Sequence, residues 1–132
     1  MEDTISKTYL SWSDIDECID ILEEKIKWEI PNVETITGLH RGGLIPAVIL
    51  SHRLDLPWTD VVYENTLVVD DINDTGKTLS KAPGIYHAVL HHKKTSTFKS
   101  AVYAKIVGDE WIVYPWEMDN SDPIQDYLKF NK

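Results

Sequence analysis

One cysteine, Cys18, in 132 residues leaves the chain with no internal disulfide and no cysteine-based zinc cluster. No apolar run approaches the roughly 20 residues of a membrane-spanning helix. The opening MEDTISK lacks the basic start and apolar stretch of a secretory leader. Cations are scarce: 13 Lys and Arg stand against 22 Asp and Glu, a formal charge of −9. Without a Lys/Arg-rich run there is nothing to displace counterions from a duplex, so neither nucleic acid nor a membrane is expected as a partner. Repeats, low-complexity tracts and linker-like stretches are also missing. Residues 1–132 therefore read as one soluble domain, with a cytoplasmic location expected.

What remains is ordinary globular composition with clear periodicity. Ser13 is a plausible N-cap for a helix with Asp14 and Asp16 in its first turn, and Ile15, Cys18, Ile19, Leu22 and Ile26 recur at helical spacing. Cys18 lies on that apolar stripe, where a structural thiol is expected. Val33 to Leu39 reads as a strand, Leu44 to Leu54 as a helix with Pro46 near its start, and Thr66 to Asp71 as a strand rich in β-branched residues. A short helix follows, stopped by Pro83-Gly84. His87 to His92, Ala101 to Val107 and Glu110 to Tyr114 read as strands, the last two separated by Gly108-Asp109. Asp122 can cap a final helix starting at Pro123, with Gln125 at the capping-box position. Alternating helices and strands predict a small α/β domain with a largely parallel central sheet flanked by helices. Ligands in such sheets sit at the carboxyl ends of strands.

The segment Val68-Val69-Asp70-Asp71-Ile72-Asn73-Asp74-Thr75-Gly76-Lys77-Thr78 carries the chemistry. Three carboxylates within five positions repel one another unless a cation or sugar hydroxyls satisfy them. Thr75-Gly76-Lys77-Thr78, opening a helix, offers backbone N–H groups to an anion. Together they describe a site for a phosphorylated sugar, against the plainer alternative of an acidic strand-to-helix turn. A nucleotide-binding P-loop is disfavoured, because it needs glycine five residues before its Gly-Lys pair and Asp71 stands there.

The run VVDDINDTGKT closely resembles the phosphoribosyl-pyrophosphate (PRPP) signature of the type I phosphoribosyltransferases, and fills each of its fixed positions. The resemblance implies that Asp70 and Asp71 bind the ribose hydroxyls and a Mg²⁺ ion. It also implies that Thr75, Gly76, Lys77 and Thr78 hold the 5′-phosphate, and that Asp74 accepts a proton near purine N7. Thr37 to Pro46 resembles the family's pyrophosphate loop, in which Arg41, Gly42 and Gly43 let cation and amides approach the diphosphate. The other reading of Arg41 is a solvated loop arginine.

Trp111-Ile112-Val113-Tyr114-Pro115-Trp116-Glu117 is similar to the WIxxPW(D/E) segment of the xanthine, guanine and hypoxanthine phosphoribosyltransferases. Carried over, Trp111 stacks on the purine, Ile112 supplies backbone contacts and Glu117 is a second metal ligand. For Trp116 a core or partner contact is the favoured reading. In these 6-oxopurine enzymes a lysine after the preceding strand meets O6. Here that is Lys93, with Lys94 the one-residue alternative and a solvated strand end the plainer one. His91 and His92 would face opposite sides of a strand and so cannot share one ion. The implied reaction moves the phosphoribosyl group of PRPP onto a purine, with a catalytically weak PRPP- or nucleotide-binding regulator as the alternative. A homo-oligomer is expected by resemblance, since dimers and tetramers are frequent in the family.

One departure concerns the long lid loop that family members carry before the carboxylate strand. Here Val61-Val62-Tyr63-Glu64 runs almost directly into Thr66. Parallel strands need a crossover of a dozen or more residues, so 59–64 cannot be an ordinary parallel strand feeding 66–71. Either the segment takes another path or the lid is missing.

Overall fold

The computed structural model describes residues 6–99 and 101–117. The helix expected after Asp122 lies outside them.

The first long element is α1, Trp12–Glu29. Its N-cap is Ser11 rather than Ser13. Ser11 Oγ accepts from Asp14 N at 3.1 Å while the Asp14 carboxylate accepts from Ser11 N at 2.8 Å. This reciprocal capping box satisfies two donors at once, which Ser13, already inside the first turn, cannot do. Ile15, Cys18, Ile19, Leu22 and Ile26 form its buried stripe as the periodicity predicts. α2, Leu44–Leu54, has the predicted limits. Arg53 near its end bonds Asp20 at 2.8 Å and Glu23 at 3.0 Å, tying α2 to α1.

The central sheet is wholly parallel, in the order β2 (Thr35–Gly38), β3 (Thr66–Asn73), β4 (Tyr86–Lys93), β5 (Val102–Val107). The main core packs α1 and α2 on it through Ile36, Leu67, Val69, Ala88 and Leu90. Leu79 of the short helix α3, Lys77–Lys81, joins Val89 and Ala101 in a smaller cluster. Thr66 to Val69 are fully buried, the near-continuous apolar pattern of a strand covered on both faces.

Two elements depart from expectation. β6, Trp111–Val113, leaves the sheet and pairs in parallel with β1, Lys7–Tyr9. A three-residue strand is too short to show a period of two, and only its distant partner defines it. After α2 the chain touches the outer edge of β2 through a single parallel bridge, Ile36 to Trp58. It then rounds the start of β2, where Glu34 N donates to Asn65 O at 2.8 Å, and enters β3 through a turn closed by Thr66 N to Tyr63 O. Residues 59–64 therefore form no strand, as the crossover requirement dictates.

Candidate active site

β3 and β2 deliver the two key loops side by side. β2 ends at Gly38, opposite Val69, and Leu39 N still donates to Val69 O at 2.9 Å. The chain then turns through Arg41, Gly42 and Gly43, with a cis peptide between His40 and Arg41. A Cβ on Gly42 would fall 2.7 Å from Asp71 Cγ and overlap its carboxylate. Glycine at 42 is thus a consequence of close approach: the expected diphosphate loop lies directly on the expected ribose carboxylate. Arg41 is exposed at the rim.

The carboxylates are oriented locally. Asp70 Oδ1 accepts from Asp71 N at 2.9 Å, and Asp71 Oδ1 accepts from Ile72 N at 2.7 Å. Asp70 and Asp71, in the second half of β3, offer carboxylate oxygens of the kind Mg²⁺ takes, its shell being completed by water and substrate phosphates. Among the described residues no group of three acidic, His or Cys side chains is gathered for a metal. Glu117, the expected further ligand, accepts at Oε1 from Tyr114 N at 2.8 Å.

Beyond β3 the turn through Thr75, Gly76, Lys77 and Thr78 opens α3. Gly76 has φ of +97°, and a Cβ there would sit 2.7 Å from Phe98 N. Thr75, Lys77 and Thr78 are exposed, as a phosphate cradle requires. Asp74 lies within 3.4 Å of Lys93 Nζ, both side chains largely buried. The parallel pairing of β3 with β4 brings this acid and this lysine to the same sheet end.

Asn73, an unrestricted position in the signature, proves to be a structural tie. Its Nδ2 donates to Phe98 O at 2.7 Å and to His92 Nδ1 at 3.0 Å, and its Oδ1 accepts from Ser96 Oγ at 2.9 Å. Thr97 in turn donates from N and Oγ1 to Thr75 O. The loop after β4 therefore braces the turn through Thr75. Nothing local in the sequence signals this, because the partners lie on a different loop. His91 and His92 turn to different surroundings as expected: His91 to Cys18 and Tyr114, His92 to Asn73 and a stacked Tyr103. Burial lowers the pKa of His91 to about 4 and raises that of the Cys18 thiol.

Of the expected base contacts, Trp111 is half-buried and Ile112 buried. Both are held by β1, with Trp111 N donating to Ser6 O at 2.7 Å. Trp116 packs against the core, stacked on Tyr114 at 4.9 Å, the favoured reading for it.

No family model matches the chain. A purine phosphoribosyltransferase from Pyrococcus horikoshii superposes with a TM-score of 0.74 at 31% identity, over 88% of this chain and 97% of that one. The chain belongs to the type I phosphoribosyltransferase family. It is 27% identical over 114 residues to a xanthine-guanine phosphoribosyltransferase of Cereibacter sphaeroides, covering 63% of this chain and 68% of that protein. It is 22% identical over 152 residues to one of Desulfotalea psychrophila, covering 91% and 92%. As a phosphoribosyltransferase the chain is an enzyme, and its α/β architecture with parallel strands flanked by helices is that of its family.

Proposed function

We propose that the chain transfers the 5-phosphoribosyl group of PRPP to a 6-oxopurine, hypoxanthine, guanine or xanthine, giving a nucleoside 5′-monophosphate and pyrophosphate. The observation that carries this reading is the pair Asp74 and Lys93, 3.4 Å apart at the carboxyl ends of β3 and β4. A 6-oxopurine presents a ring N–H and a carbonyl oxygen on neighbouring edges. An acid accepting the first and an ammonium meeting the second recognise both. Relatives named for xanthine and guanine support the class.

In this mechanism Asp70 and Asp71 hold the ribose hydroxyls, and the amides of Thr75 to Thr78 hold the 5′-phosphate. Arg41 and the Gly42 amide face the leaving diphosphate and stabilise the charge that develops on it, while the Gly43 amide is taken by Leu39 O at 2.9 Å. Asp70 and Asp71 would hold Mg²⁺, which would supply further neutralisation of that charge. Trp111 and the Ile112 backbone orient the base. Asp74 takes the proton as the ring nitrogen bonds to C1, its ion pair with Lys93 giving way to contacts with the purine. The test is Mg²⁺-dependent formation of labelled nucleotide from PRPP and each purine. Product with at least one is expected, and none with any, while PRPP still binds, would refute transfer.

The direct path from Trp58 into β3 favours a second reading, a protein that binds PRPP or nucleotide with little turnover, because water exclusion by a closing loop supports such chemistry. Robust turnover lost in Asp74→Asn counts against it.

A further inference from the structure

We infer that Tyr114 is a positioning residue for the reaction, holding the backbone of Asp71 in place through a buried hydrogen-bond chain that starts at Cys18 on α1. The inference rests on the reading above that Asp71 serves PRPP.

The direction of every bond in the chain follows from its last acceptor. Tyr114 Oη lies 3.1 Å from the carbonyl oxygen of Asp71. A carbonyl only accepts, so the single phenolic proton goes to it. Tyr114 Oη also lies 2.9 Å from His91 Nδ1. With its proton committed, the phenol can only accept there, so Nδ1 carries the hydrogen. His91 is 3% exposed, and burial disfavours the imidazolium, which leaves Nε2 bare. Cys18 Sγ faces Nε2 at 3.8 Å and donates its thiol proton. Cys18 and Tyr114 are as deeply buried, at 1% and 2% exposure. No member of the chain is left with an idle donor or a doubled one.

The chain joins four elements: α1, β4, the segment after β6 and the end of β3. Its last link falls where β3 has lost one of its two neighbours and only β4 continues alongside. β2 stops at Gly38 opposite Val69, so Asp71 has no β2 residue beside it. Trp116 stacks on the Tyr114 ring with planes 5° apart, fixing the direction of the hydroxyl. Tyr114 directly follows the strand that carries Trp111 and Ile112. One hydroxyl thus sets the spacing between the base strand and the ribose carboxylate.

Two measurements test this. In the wild-type chain at neutral pH, long-range ¹H–¹⁵N spectra of the His91 ring should show the neutral Nδ1–H tautomer. An Nε2–H tautomer overturns the chain as drawn. In Tyr114→Phe, removing one hydroxyl should raise the KM for PRPP about tenfold, the effect of one lost hydrogen bond, with the KM for the purine nearly unchanged. An unaltered PRPP KM, or an equal change for both substrates, overturns the positioning role. If the wild type binds Mg²⁺–PRPP without turnover, calorimetric affinity replaces KM in the same comparison. A wild type that does not bind PRPP defeats the functional reading itself, an outcome distinct from failure of the variant alone. The tautomer measurement needs neither activity nor the variant's fold.

Discussion

Lys93 Nζ and Asp74 Oδ1 stand 3.4 Å apart at the carboxyl ends of neighbouring strands, with the two side chains 11% and 19% exposed. In the proposed reaction a 6-oxopurine would separate the pair, offering its carbonyl to the lysine and its ring N–H to the acid.

Asp74→Asn removes the proton acceptor while keeping the shape. Turnover should fall by about 10²- to 10⁴-fold, the usual contribution of a placed acid or base, with PRPP affinity retained. Steady-state kinetics paired with calorimetry of PRPP binding checks both halves. Lys93→Met should mainly raise the KM for the purine, since it deletes the proposed carbonyl contact.

Gly42→Ala pushes a methyl group into the Asp71 carboxylate. The two loops must separate, so PRPP affinity should drop by about tenfold or more, as expected when a placed charge contact is disturbed. Thermal unfolding should change little, because the loop is only half-buried. Unchanged Mg²⁺–PRPP binding by calorimetry would contradict the close approach.

Asn73→Ala deletes the tie among β3, His92 and residues 96–98. It removes the donor to the buried His92 Nδ1 and one hydrogen bond each from Ser96 Oγ and the Phe98 carbonyl, a cost of about 1–3 kcal/mol. Urea unfolding should show that loss. Hydrogen exchange should rise in residues 94–98 and 75–78 together, since Thr97 links them.

Stability should fall as pH drops from about 6.5 to about 4. His91 has its folded pKa lowered to about 4 by burial, so in this window the unfolded chain binds the proton and the folded chain does not. The slope of unfolding free energy with pH is then positive. The contribution is complete above the unfolded value and is lost progressively toward the folded one. His87 and His92 are shifted the same way, burial being the main cause. Denaturant titrations at pH 7 and pH 5 should show the loss, and His91→Gln should shrink it without abolishing it.

The motifs were legible because each is a contiguous run whose meaning is local. The acids of VVDDINDTGKT repel one another wherever the run is placed, and Gly76 needs its positive φ for the turn itself. α2 has the limits its sequence predicts, with Pro46 near its start. The N-cap of α1 was misplaced by two residues because Ser11 and Ser13 both precede an acid, and only the reciprocal bond with Asp14 distinguishes them. Asn73 carried no signal, since its partners are a histidine, a serine and a carbonyl on other elements. β1 was invisible because three residues show no period.

By itself the sequence determined the order of strand, loop and helix, the acidic trio, the glycines and the aromatic strand, because propensity and charge act between near neighbours. The tertiary structure alone decided which of these groups meet. Parallel register set Asp74 against Lys93, the end of β2 laid Gly42 on Asp71, and Tyr114 reached the Asp71 carbonyl across the core. Such encounters depend on how strands align and helices pack, where burial and hydrogen-bond satisfaction of distant residues select one arrangement.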